Sequence, residues 1–97
     1  MSGDPIQFIN QCIGKHVEIK CRLKRTIKGI LNAVDPHLNI MMSNVEETGE
    51  NLENKIETRK IPILYIRGDT IIGLSPLKEE DIEQVNMRDR LANPNYV

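Results

Sequence analysis

Two short polar segments carry the residues best able to do chemistry. One is Asp35-Pro36-His37-Leu38-Asn39 and the other is Arg67-Gly68-Asp69. Each interrupts a pair of apolar runs, as a turn between strands does. His37 offers a flat ring, and stacking on such a ring tolerates any base. Asn39 donates and accepts at once, which matches the imide edge of uracil. Arg67 can lay its guanidinium plane over a base while pairing with phosphate. Gly68 supplies either a positive φ or room for close approach. If the two turns face each other, together they can hold one unstacked base. The bland alternatives are an ordinary turn histidine, a turn asparagine and a surface arginine beside Asp69.

No catalytic set accompanies these residues. The chain has no GxSxG, HExxH, phosphate-binding glycine loop or paired Cys/His site, and Asp35 and His37 lack a third partner. The expectation is no enzyme, no metal site and no cofactor. Cys12 and Cys21 are too few and too far apart for a zinc knuckle or a redox pair, and both lie in apolar-rich segments. They read as buried free thiols.

With 97 residues the chain is long enough for one small domain. Its net charge of −1 makes it no polycation, so any nucleic-acid contact must be local. The cations Lys20, Arg22, Lys24, Arg25 and Lys28 gather around one predicted hairpin and read first as a solvated face. Phe8, Tyr65 and Tyr96 are the only aromatics. The core must be Ile, Leu, Val and Met, and so small a core often leans on partner subunits. Nothing resembles a signal peptide or a membrane span, so the expectation is an intracellular chain without a membrane partner.

The elements that must position the two turns follow from period and punctuation. Asp4-Pro5 predicts a helix start, and Ile6, Ile9 and Ile13 recur at helical spacing until Gly14. Val17, Ile19, Cys21 and Leu23 then alternate with charged residues as a first strand. After a charged turn at Leu23 to Arg25, a second strand runs to Val34, with Gly29 marking a sharp bend. A third strand is predicted over 39–45, a polar and acidic loop over 46–57, and a fourth strand over 58–66 containing Pro62. A fifth covers 70–75. Residues 78–90 are charged, with Ile82, Val85 and Leu91 as weak apolar marks, and predict a marginal or partner-dependent helix. The fold class is therefore mainly β: a short N-terminal helix followed by a strongly bent, five-stranded antiparallel open barrel. The domain spans residues 1–77, and 78–97 form a charged tail. The apolar fourth and fifth strands are candidates for pairing between subunits.

Gly29 to Met42 (GILNAVDPHLNIMM) and Ile63 to Leu74 (ILYIRGDTIIGL) resemble the two sequence motifs of the Sm and Sm-like (LSm) family of RNA-binding ring proteins. Either motif alone is unspecific; both in order, with an acidic insert between them, are specific. The resemblance covers roughly residues 5 to 77. It implies the Sm fold and a heteroheptameric ring, built by strand four of one subunit pairing with strand five of the next. Partners would be other LSm subunits and uridine-rich single-stranded RNA, namely the 3′ end of U6 small nuclear RNA in splicing. A related cytoplasmic ring acts in mRNA decapping and decay, so the implied location is the nucleus with a cytoplasmic share. Core Sm subunits of spliceosomal particles are the alternative inside the family, and an RNA-free protein-interaction barrel is the alternative outside it. The resemblance also implies RNA contacts from His37, Asn39, Arg67 and Gly68. Asp35 is implied in support, orienting the turn and bracing Arg67 or backbone amides.

Overall fold

A computed structural model describes residues 5–83. Helix α1 spans Pro5–Asn10, and the strands are β1 His16–Cys21, β2 Arg25–Val34, β3 Ile40–Glu50, β4 Ile56–Ile66 and β5 Ile71–Pro76. They form one antiparallel sheet in the order β4-β3-β2-β1-β5, which leaves β4 and β5 at its two edges. The mainly β, bent five-stranded architecture is the one expected. Asp4, the predicted cap, lies outside the described residues, and so does the predicted C-terminal helix beyond residue 83.

Period two in β1 buries Val17, Ile19 and Cys21. Leu23 does not continue that pattern: it is 89% exposed and sits with Lys24 at positive φ (64° and 59°) in the turn to β2. Ile27 and Leu31 of β2, and Ile40, Met42 and Val45 of β3, complete the core with Ile66, while Ile9 and Cys12 close it from the helix side. Both cysteines are free and buried. Gly14, at φ 86°, ends the helical segment, and its N–H donates to Leu31 O at 2.8 Å.

The bend predicted at Gly29 has a steric cause. A Cβ there would lie 2.9 Å from Ser43 O and 3.1 Å from a Val45 methyl, so β3 crosses β2 where only glycine leaves room. The β2–β3 register shifts between Lys28 and Ile30, and Asn44 adopts φ 53° nearby. These irregularities curl the sheet.

The predicted acidic loop over 46–57 is largely strand. β3 and β4 stay in register from Glu46↔Lys60 to Glu50↔Ile56, leaving only residues 51–55 as a turn. Ion pairing allows it. Glu46 and Glu47 are 4% and 6% exposed, which an acid tolerates only when partnered. Lys60 Nζ reaches Glu46 at 2.9 Å. Arg25 and Arg59 both grip Glu47.

Candidate nucleic-acid interface

The two turns do meet, with the Gly68 backbone set against the Asn39 side chain and the His37 and Leu38 carbonyls. The first follows β2 over residues 35–39, and the second follows β4 at Arg67 and runs into a short 3-10 turn, Gly68–Thr70. Gly68 N–H donates to Asn39 Oδ1 at 2.9 Å. A Cβ on Gly68 would sit 2.3 Å from His37 O and 2.9 Å from Leu38 O. Of the two roles open to this glycine, the structure uses close approach; its φ is not positive.

Asp35 organises the first turn from within. Its Oδ1 accepts the N–H groups of His37 at 2.8 Å and Asn39 at 2.9 Å, and its Oδ2 accepts Asn39 Nδ2 at 2.9 Å. Four residues thus close around one carboxylate, an Asx-type turn. Donation from the Asn39 backbone, then from its side chain, holds the Asp35 carboxyl below the usual range. Of the two braces expected from Asp35, the amides are the ones found. Arg67 instead points Nη2 at Asp69 Oδ2 at 3.0 Å.

Asn39 is the hinge of the arrangement. Its orientation is fixed, since a flipped amide would set N–H against Gly68 N–H and oxygen against a carboxylate. With one N–H and one lone pair engaged, the side chain keeps one donor and one acceptor site for a ligand. The amide therefore braces the junction as well as being able to read an edge. The sequence alone offered edge reading and an ordinary turn asparagine as alternatives.

Beside the junction lies an open cavity of about 420 Å³. Ala33, Met41 and Tyr65 give it apolar walls, and Asp35, Asn39 and Arg67 give it a polar rim. Met41 and Tyr65 are direct cross-strand partners, a pairing invisible before the register is known. His37 is exposed and is not among the lining residues. Thr70 Oγ1 donates to Arg67 O at 2.8 Å and ties down the second turn. The site thus presents a free imidazole, a guanidinium oriented by Asp69, and a half-engaged amide, all on turns locked together by hydrogen bonds.

Such paired turns at one end of a bent five-stranded sheet are the mark of the Sm fold, and the comparisons agree. Residues 7–76 match the LSM domain family, and the chain belongs to it. The Sm-like protein LSM3A of Arabidopsis thaliana is 34% identical over 82 residues, covering 75% of this chain and 84% of the relative. The probable U6 snRNA-associated Sm-like protein LSm3 of Dictyostelium discoideum is 35% identical over 82 residues, with the same 75% and 84% coverage. Those names denote the third subunit of the eukaryotic ring, which the segments Ile61 to Asp69 and Pro76-Leu77 also resemble. Among solved structures, a heptameric archaeal Sm protein superposes with TM-score 0.61 at 28% identity, covering 74% of this chain and 98% of that one. The Pyrococcus abyssii Sm protein, solved in complex with a uridine heptamer, shares the fold with TM-score 0.66 at 23% identity, covering 77% of this chain and all of that one.

Proposed function

We propose that the chain is a non-enzymatic RNA-binding subunit of a heteroheptameric LSm ring. It holds uridine-rich single-stranded RNA, with the 3′ end of U6 small nuclear RNA as its splicing ligand and a second role in mRNA decapping and decay. Its place is then the nucleus, with a cytoplasmic share. Residues 1–77 act as the ring domain and 78–97 as an appendage. The observation that carries this reading is the Asn39–Gly68 junction. It sets a stacking ring (His37) and a stacking cation (Arg67) on two turns that cannot drift apart, which is pre-organisation for a splayed base. The unpaired edges of β4 and β5 support assembly with neighbouring subunits, since sheet edges seek strands. The heptameric and uridine-bound archaeal relatives support the same reading.

The test is titration of the reconstituted ring with oligouridine and oligocytidine. Tighter binding of oligouridine, weakened for both ligands alike by His37→Ala, is the expected result. An intact ring that binds neither would instead make this a protein-interaction barrel.

A further inference from the structure

Beside the junction, side chains alternate between the core and the open face of the sheet. Val34, Ile40 and Ile66 form one cross-strand row, and Ile40 and Ile66 are buried. The row before it is Ala33, Met41 and Tyr65, which therefore stands on the opposite face. Tyr65 is 74% exposed, and its hydroxyl has no hydrogen-bond partner among the described residues. A lone exposed aromatic is ordinary on a protein surface. This one walls a cavity of about 420 Å³, within the range of small-ligand sites, about 300–1,000 Å³. The row sets a flat ring, a flexible thioether and a single methyl on neighbouring strands about 4.8 Å apart. A flat group can thus lie against the ring in the space that Ala33 leaves.

The polar rim ties that space to the junction. Asn39 and Arg67 line the cavity and belong to the junction as well, whereas His37 is outside the lining. The rings of His37 and Tyr65 therefore serve separate spaces with Asn39 and Arg67 between them. A guanidinium pairs with phosphate. The Asp35 carboxylate on the same rim repels phosphate and is already occupied by amide groups of His37 and Asn39. Phosphate is thus directed to Arg67, and an apolar face to Tyr65.

We infer that the cavity is a second base site, in which Tyr65 stacks the nucleotide adjoining the one held at the junction, with Arg67 on the phosphate between them. The inference rests on the RNA reading of the junction and deepens it: each subunit contacts an adjoining pair of nucleotides. Stacking tolerates any base, so Tyr65 adds affinity without adding preference. Pairing of the β4 edge with a neighbouring strand engages N–H and C=O groups in the plane of the sheet. Side chains stand perpendicular to that plane, so the ring of Tyr65 stays open on assembly.

Ultraviolet cross-linking of oligouridine to the reconstituted ring, with affinities of variant rings, tests it. Trypsin cuts after Lys60 and Arg67, and Tyr65 is the one aromatic in the resulting peptide Ile61–Arg67. A uridine adduct on Tyr65 is expected. Tyr65→Phe should bind as the parent does, because stacking needs only the ring. Tyr65→Leu should weaken oligouridine and oligocytidine alike, by about fivefold or more, in rings of unchanged mass. Ala33→Leu, which narrows the cavity without touching Tyr65, should weaken both as well, and it decides the matter if Tyr65→Leu rings do not assemble. Intact Tyr65→Leu or Ala33→Leu rings that bind as tightly as the parent would overturn the second site and leave the junction reading standing. Adducts found only outside Ile61–Arg67 would do the same. A parent ring that binds no oligouridine would remove both readings together.

Discussion

Where β2 passes into β3, Asp35 and Asn39 satisfy each other and the backbone around them, and Asn39 also holds Gly68. His37 and Arg67 are left exposed in consequence. At the opposite end, where β3 passes into β4, the charges close on each other. Glu47 accepts Arg25 Nε at 3.0 Å and is gripped by Arg59 as well, while Lys60 covers Glu46. The first end uses hydrogen bonds between turn side chains and backbone amides, leaving a ring and a guanidinium outward. The second uses long-range ion pairs to keep a polar hairpin folded. On the proposed reading one end meets a ligand, while the other is satisfied internally. The two should therefore answer to mutation through different observables.

The largest effect should come from Gly68→Ala. The new methyl meets three backbone atoms, the nearest at 2.3 Å, so the turns must separate. A stability loss of about 2–3 kcal/mol is expected, as in overpacked cores, together with loss of oligouridine binding. Gly73→Ala is the control, because nothing lies within 4 Å of its added Cβ. Denaturant melts of the two variants that coincide would refute the steric account of the junction.

Arg67→Ala comes next and should act on binding alone. Its side chain is 81% exposed and that of its partner Asp69 is 64% exposed, so the fold loses little. Oligouridine affinity of the reconstituted ring should fall by about 1–3 kcal/mol if a base stacks there. Arg67→Lys should recover only part, since an ammonium has no stacking plane. Equal affinities for all three proteins would move the base-binding site elsewhere.

These contrasts also mark what could be read from the sequence. The Gly29 bend and the two turns were legible because each rests on local chemistry: a glycine in a strand, a polar run between apolar ones. The β3–β4 hairpin was not. Glu46 and Glu47 read as solvated acids, because the cations that permit their burial lie 12 to 22 positions away. Asn39 was legible as an amide at the right spacing, but its bond to Gly68 spans 29 positions and needs the fold. Leu23 misled for the opposite reason. It kept the alternation of β1 after the strand had already turned.

Glu47→Gln probes the closed end. Burial by itself pushes the Glu47 carboxyl up, and hydrogen bonds from Arg59 and Arg25 with their charges overcome it, holding it below the usual range. A carboxyl depressed in the folded state stabilises the protein above its unfolded pKa of about 4.3, and that contribution fades as pH falls toward the folded value. The variant should lose about 1–2 kcal/mol at neutral pH, the scale of hydrogen bonds to a charged group with partly exposed partners. It should also unfold less steeply with acid below about pH 4.5. Oligouridine affinity at pH 7 should not change. A Glu47→Gln ring that folds normally but binds RNA weakly would mean that the two ends are coupled.

The smallest effect belongs to the β1–β2 turn, which adjoins the closed end through Arg25. Leu23 and Lys24 both hold positive φ inside the three-residue loop closed by the Cys21–Arg25 pair, a backbone region that favours Gly and Asn. A leucine in that region carries steric cost, and at 89% exposure it returns no burial. Replacing the pair, Leu23→Asn with Lys24→Gly, removes that cost and restores the residues the turn favours. The one loss is the Lys24–Glu50 contact at 3.7 Å, between side chains 78% and 38% exposed, which contributes little. A gain of about 0.5–1 kcal/mol is expected in denaturant melts, with oligouridine binding unchanged. A melt no higher than that of the parent chain would show that the turn is not strained. A change in RNA affinity would show that the cationic hairpin contacts the strand, so that the closed end also serves the ligand.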